Sequence, residues 1–268
     1  MNEHPYSFGR NGAVATAESR NRVLRNVYWL LALSMVPTVL GAYVGVVTGF
    51  SLFAATSPAM SMLAFFAIAF GFMFAIQRTK DSAAGVFVLL GFTFFMGLML
   101  SRMLSFILGF SNGPSLIMLA FGGTGVIFAA MATVATVSKR DFSGLGKWLF
   151  VGVIVLLLAM VANMFLHLPA LMLTVSVLAI VIFSAYMLFD VQRVVNGGET
   201  NYITATLAIY LDLYNVFVNL LALLGIFGGL ETFGLVGLFL GPAIMAALVS
   251  LWREWTDPVP RRLTQKAG

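Results

Sequence analysis

The stretch AYMLFDVQRVVNGGETNYITATLAIYLDLYNVFVNLLALLGIFGG, residues 185–229, decides how this chain is read. It carries Asp190 and Asp212 inside or at the edge of long apolar runs. An ionised carboxylate in hydrocarbon costs on the order of 3 kcal/mol on insertion scales. A chain that keeps two of them needs a compensating reason. On a helix at 100° per residue, Thr204, Asn215 and Asn219 fall within about 80° of Asp212, and Tyr210 and Tyr214 point to the opposite side. Such a polar stripe on a spanning helix should face a bundle interior or a water-filled cavity rather than lipid.

Asp190 closes the apolar run before it, one turn after Tyr186, and Asn196-Gly197-Gly198 is a turn and helix-stop signal. The two helices should therefore be antiparallel neighbours. Asp212 lies about eight residues into its helix, roughly 12 Å from the joint, and Asp190 lies near the same mouth. Their side chains can meet only if the first helix continues past Asp190 or the mouth is recessed. Two carboxylates in one low-dielectric site cannot both ionise cheaply, so a meeting pair tends to hold a shared proton. Acid would keep it hydrogen-bonded; alkali would ionise both, separating them or recruiting a hard cation. The plainer reading stands beside this one: Asp212 as hydrogen-bonding glue between helices, Asp190 as an interfacial helix end.

Composition sets the surroundings. Of 268 residues, 60% are hydrophobic and 9% charged, against about 25% charged in a soluble domain. Apolar runs fall at 27–50, 59–77, 82–104, 115–137, 148–167, 170–189, 204–226 and 233–252. Each is close to the 20 or so residues that cross a ~30 Å hydrocarbon core. The expectation is an all-α, polytopic helical bundle with eight spans. Residues 1–26 are a polar tail, and the run after them is too long for a signal-peptide core. Ser57-Pro58, Ser111-Asn112-Gly113-Pro114 and His167-Leu168-Pro169 are turns.

With the N-terminus in the cytoplasm, the inner segments hold 14 of the 15 lysines and arginines, only Arg102 falling outside. The positive-inside rule selects that orientation. The same scatter through loops removes the net charge of +5 as a nucleic-acid signal. Cysteine is absent and histidine occurs only as His4 and His167, which leaves no thiol chemistry and no plausible zinc set. No phosphate-cradling GxxxxGK[ST] and no HExxH occurs, so an enzyme is not expected and no cofactor is implied. Gly41, Gly45 and Gly49, Gly225 and Gly229, and Gly237 and Gly241 repeat at four-residue spacing, which lets membrane helices approach closely. Asn163, one turn before His167, reads as glue and His167 as an interfacial residue.

At these residues a resemblance emerges. FDVQRVVNGGETNYITATLAIYLDLYNVFVNLLALLG resembles the closing helices of the Bax inhibitor-1 (TMBIM) family, and NGGETNYI (196–203) resembles its proteobacterial branch of FtsH-protease modulators. The likeness continues through VLRNVYWLLALS (23–34), Gly122–Gly125 and MVANMFLHLPAL (160–171), covering about residues 20–229. It implies a seven-helix bundle with a central last helix, in the bacterial inner membrane. It implies a pH sensor and calcium-leak gate at Asp190 and Asp212, with transient Ca2+ there, and Arg78 as a latch from the second helix. The polar lining would be Thr204, Asn215 and Asn219. The implied partner is the membrane AAA protease, engaged through residues 1–22 or so. The family often places an acid in its second helix; this chain has none between Ala59 and Gln77. Past Gly229 the chain departs from the family: FGLVGLFLGP (233–242) and LWREW (251–255) resemble the last helix of AI-2E family exporters, adding an eighth span and a basic tail. The expected domains are the tail at 1–26, a seven-helix unit at 27–229 and the extra helix at 230–268.

Overall fold

In lipid every backbone polar group must be satisfied within the chain, which for apolar runs of this length means helices. The computed structural model of the chain describes residues 8–50, 58–166 and 168–228. Within them lie seven helices: α1 (Phe8–Thr48), α2 (Pro58–Thr79), α3 (Ala83–Leu108), α4 (Gly113–Val137), α5 (Leu145–Leu166), α6 (Pro169–Val195) and α7 (Tyr202–Gly228). Six are long and apolar enough to cross a membrane, and α2 contributes a shorter apolar segment, Leu63–Thr79. The chain divides after Gly225. The run at 233–252, expected as an eighth span, lies outside the described residues.

Two boundaries differ from the sequence reading. The segment 1–26, read as a polar tail, is helical from Phe8 onward. An apolar run marks only the oil-embedded part of a helix, and residues 13–26 contain no proline or glycine to stop it. The apolar run ending at 189 belongs to a helix that continues to Val195, so α6 carries Asp190 more than a turn before its end. Proline placement follows the usual rule: Pro114 and Pro169 sit in the first turn of α4 and α6, where a missing N–H costs nothing.

The tightest seam joins α1 to α3. A Cβ added at Gly41 would land on the Phe94 carbonyl oxygen, one at Gly97 on the Thr38 carbonyl oxygen, and one at Gly45 on the Ser101 side chain. The glycine spacing read from α1 is thus met by a third glycine from α3. Gly49 plays another part: at φ +62° with nothing near it, it ends the helix. Elsewhere α4 and α5 pack on α6, and α2 on α3.

Helix α7 is surrounded through its side chains. Tyr210 meets Thr38 of α1 and Phe92 of α3, Tyr214 reaches Met96 of α3, Leu220 lies against Gly123 of α4, and Asp212 faces α6. Ile203, Ala205, Thr206, Leu207, Ile209 and Tyr210 are buried, and no residue of α7 from Tyr202 to Gly225 is exposed. Only a central helix buries all its faces.

Candidate functional site

The joint between α6 and α7 sets the geometry. Gly197 adopts φ +77°, a left-handed conformation that glycine takes without penalty. It lets the Gly198 and Glu199 amides donate to the Arg193 carbonyl at 2.8 and 3.2 Å, satisfying the end of α6. Asn201 then opens α7. Its Oδ1 accepts from the Ile203 and Thr204 amides at 3.0 and 3.2 Å. Its Nδ2 donates to the Lys80 carbonyl at 3.0 Å and to Asp81 Oδ1 at 2.9 Å. One side chain thus caps α7 and ties it to the α2–α3 joint.

From these fixed ends the two helices bring Asp190 and Asp212 together, within side-chain hydrogen-bonding range. Asp212 is 5% exposed, and its Oδ2 has no hydrogen-bond partner. A buried polar oxygen without a partner is uncommon enough to require an explanation. Asp190 is only partly buried, so the pair has a more open side and a closed one. Tyr186 lies within electrostatic reach of both carboxyl groups. Of the two conditions set for the acids to meet, a continuing α6 or a recessed mouth, the first is present, the helix reaching Val195.

The other expected residues are placed differently. Arg78 is exposed, its guanidinium carbon 5.1 Å from the Phe74 ring centroid, a cation–π contact on α2 itself. The cation that acts on Asp190 is instead Arg193, itself 3.8 Å from Glu199. Asn215 and Asn219 lie on the Asp212 side of α7 but donate to their own helix, to the Leu211 and Asn215 carbonyls at 2.8 Å. Thr204 belongs to the cap, its hydroxyl donating to the Asn201 carbonyl at 3.1 Å. Asn163 accepts from the Leu168 amide at 2.9 Å and so closes the α5–α6 corner; His167 lies outside the described residues.

Three polar residues were not anticipated. Gln192, 4% exposed, accepts from the Phe142 amide at 2.7 Å and donates to the Arg140 carbonyl at 2.6 Å, pinning α6 to the α4–α5 joint two residues beyond Asp190. Tyr210 shares a 2.9 Å hydrogen bond with Thr38, and the Tyr214 hydroxyl donates to the Met96 carbonyl at 3.2 Å. Both tyrosines face α1 and α3, as the helical projection required, and so index the rotation of α7 that turns Asp212 toward α6.

Chemically, facing carboxyls can share a proton or, once ionised, offer up to four oxygens to a hard cation. Calcium takes six to eight, and no cluster of three acids or histidines occurs among the described residues. Any ion there would complete its shell with water and backbone carbonyls.

A family model described as "Inhibitor of apoptosis-promoting Bax1" matches residues 20–229. The chain belongs to the Bax inhibitor-1 family. It is 36% identical over 207 residues to the Escherichia coli protein named "Modulator of FtsH protease YccA", covering 77% of this chain and 91% of that one. A Vibrio cholerae relative named "Uncharacterized membrane protein" is 35% identical over 219 residues, 82% of this chain and 96% of its own length. A Pseudomonas aeruginosa relative is 33% identical over 229 residues, 85% and 99% of the two chains. The coli-type protein also carries the name "Inner membrane protein YccA", and this family member is likewise a multi-pass protein of the bacterial inner membrane. The family match stops at Gly229.

Proposed function

We propose that this family member is a membrane-embedded regulator, not an enzyme, that binds a membrane protease of the FtsH type and modulates it. The observation that carries this reading is the 36% identity spanning 91% of a protein named for that activity. The form of α1 supports it. At 41 residues and 1.5 Å per residue, α1 is roughly 60 Å long, about twice the hydrocarbon thickness. Its polar first half therefore stands clear of the membrane as a rigid arm that a membrane-anchored partner can reach. The full chain, solubilised from membranes, is expected to recover the protease, and deletion of residues 1–22 to reduce recovery sharply. Failure of the full chain to recover it overturns the reading.

A second reading, compatible with the first, is a pH-sensitive cation leak gated by Asp190 and Asp212. It is favoured by the facing carboxyls and the unpartnered Asp212 oxygen. Calcium flux into liposomes carrying the protein should vary with pH, and Asp212→Asn should flatten that dependence. Flux indifferent to both removes the reading. A latch at Arg78 would require its guanidinium to leave the Phe74 ring, so an unchanged pH profile in Arg78→Ala would dismiss the latch alone.

A further inference from the structure

At the polar end of the oil-embedded part of α1 the surface holds a shallow, open recess of about 530 Å³ lined by Asn21, Leu24, Arg25, Tyr28 and Trp29. Its chemistry is mixed in a specific way. Arg25 is exposed and has no acidic partner among the described residues. Asn21 lies one turn above it, Tyr28 presents a hydroxyl, and Trp29 is 74% exposed with both its ring and its N–H free to the outside. The Tyr28 ring packs edge-on to Phe128 of α4, centroids 6.1 Å apart, which fixes one side of the recess.

What lies below the recess matters equally. Counting 100° per residue from Arg25, the positions Trp29, Leu33, Val36, Leu40, Tyr43 and Val47 all fall within about 80°. All six are exposed large side chains. They form one unbroken apolar stripe with Arg25 and Asn21 at its head. From Trp29 to Leu40 the stripe runs roughly 16 Å, about the reach of one acyl chain into its own leaflet. Aromatic residues at such a level sit among lipid headgroups, and basic side chains on this face of a membrane attract anionic ones. The positive-inside count assigns this end of α1 to the cytoplasmic side.

The geometry points to a binding site for one anionic phospholipid, its phosphodiester held by Arg25 and Asn21, its glycerol region beside Tyr28 and Trp29, and one acyl chain laid along the α1 stripe. Charge complementarity selects the occupant. An apolar peptide would leave the Arg25 guanidinium without a counter-charge, and a free phosphate would leave the stripe with nothing to fit it. The site is independent of the protease reading and of the Asp190–Asp212 pair.

Full-length protein purified in mild detergent and mixed with equimolar phosphatidylglycerol and phosphatidylcholine, with retained lipid counted by native mass spectrometry, tests it. Wild type should retain phosphatidylglycerol in preference, and Arg25→Gln should reduce that preference about fivefold, the effect of one basic side chain at an anionic surface. Trp29→Ala should lower retention of both lipids. Arg102→Gln, which removes an exposed cation from the opposite side, should change nothing. Equal retention of the two lipids by wild type, an unchanged preference in Arg25→Gln, or displacement of the lipid by millimolar inorganic phosphate would each overturn the assignment.

Discussion

Where α1 crosses α3, Gly41 and Gly97 bring backbone against backbone, at the Phe94 and Thr38 carbonyl oxygens. Where α6 meets α7, the contact is made by Asp190 and Asp212, and one Asp212 oxygen is left without a partner. The first contact gains by removing side chains. The second keeps two side chains that a membrane interior penalises. Lipid tails are as apolar as leucine, so helices in a bilayer associate through close fit and hydrogen bonds rather than through exclusion of water. The α1–α3 seam is built on close fit. On the gating reading proposed above, the α6–α7 contact depends on a proton or a cation for its arrangement, and so can have two. The frame and the device proposed at Asp190 and Asp212 are thus separate pairs of helices, and the tyrosines of α7 tie them together through Thr38 and Met96.

The sharpest way to break this comparison is at the frame. Gly97→Leu would drive a side chain into the Thr38 carbonyl and the Ala42 amide, backbone atoms that cannot swing aside. Overpacking of this kind costs about 3 kcal/mol or more. The expected outcome is loss of the monodisperse, folded protein on size exclusion in detergent. Gly71→Leu, at an exposed glycine with nothing around it, should run as wild type. If Gly97→Leu folds normally, the α1–α3 seam is not the frame.

A middle-sized effect is expected at Gln192, which holds the device to its surroundings. Gln192→Leu keeps the volume but withdraws a partner from the Phe142 amide and from the Arg140 carbonyl. Removing one side of a buried hydrogen bond costs about 1–3 kcal/mol. Thermal unfolding in detergent should show a clear drop in midpoint, and hydrogen exchange at the α4–α5 joint should quicken. A fall in midpoint without faster exchange there would place the role of Gln192 elsewhere.

The two regions were unequally legible in the sequence. The spans could be read because hydrocarbon thickness dictates run length, and Asp190 and Asp212 stood out because charge there is costly. The glycine spacing at Gly41 and Gly45 announced a close approach, though not that Gly97 would complete it. Gln192, Tyr210 and Asn201 stayed hidden for a common reason. Their partners, Phe142 and Arg140, Thr38, and Lys80 and Asp81, lie 50 to 172 positions away, and no local pattern encodes such pairs. Arg78 shows the limit of resemblance: the residue type and helix position matched, yet Phe74, one turn back, holds the guanidinium.

The smallest expected effect isolates what surroundings do to a carboxylate. Asp141, in the α4–α5 joint outside the membrane, accepts from the Ser143 amide at 2.9 Å and from the Ser143 hydroxyl at 2.9 Å. Those two bonds, the amide first, hold its carboxyl below the usual carboxylate range. Hydrogen bonds to the charged form act in that direction. A depressed folded value means that the stabilising contribution is present above the unfolded value and is lost as pH falls through the folded one. Ser143→Ala removes the hydroxyl bond and leaves the amide bond. Carbon-detected NMR of the Asp141 carboxyl should then show titration moved part of the way back up, with at most a slight fall in unfolding midpoint at neutral pH because the group is open to water. Asp141 has water on every side and two donors of its own, so it has one protonation state at neutral pH and nothing to switch. Asp212 Oδ2 is buried without a hydrogen-bond partner, and that contrast is why the switch is proposed on α7 and not in the loop.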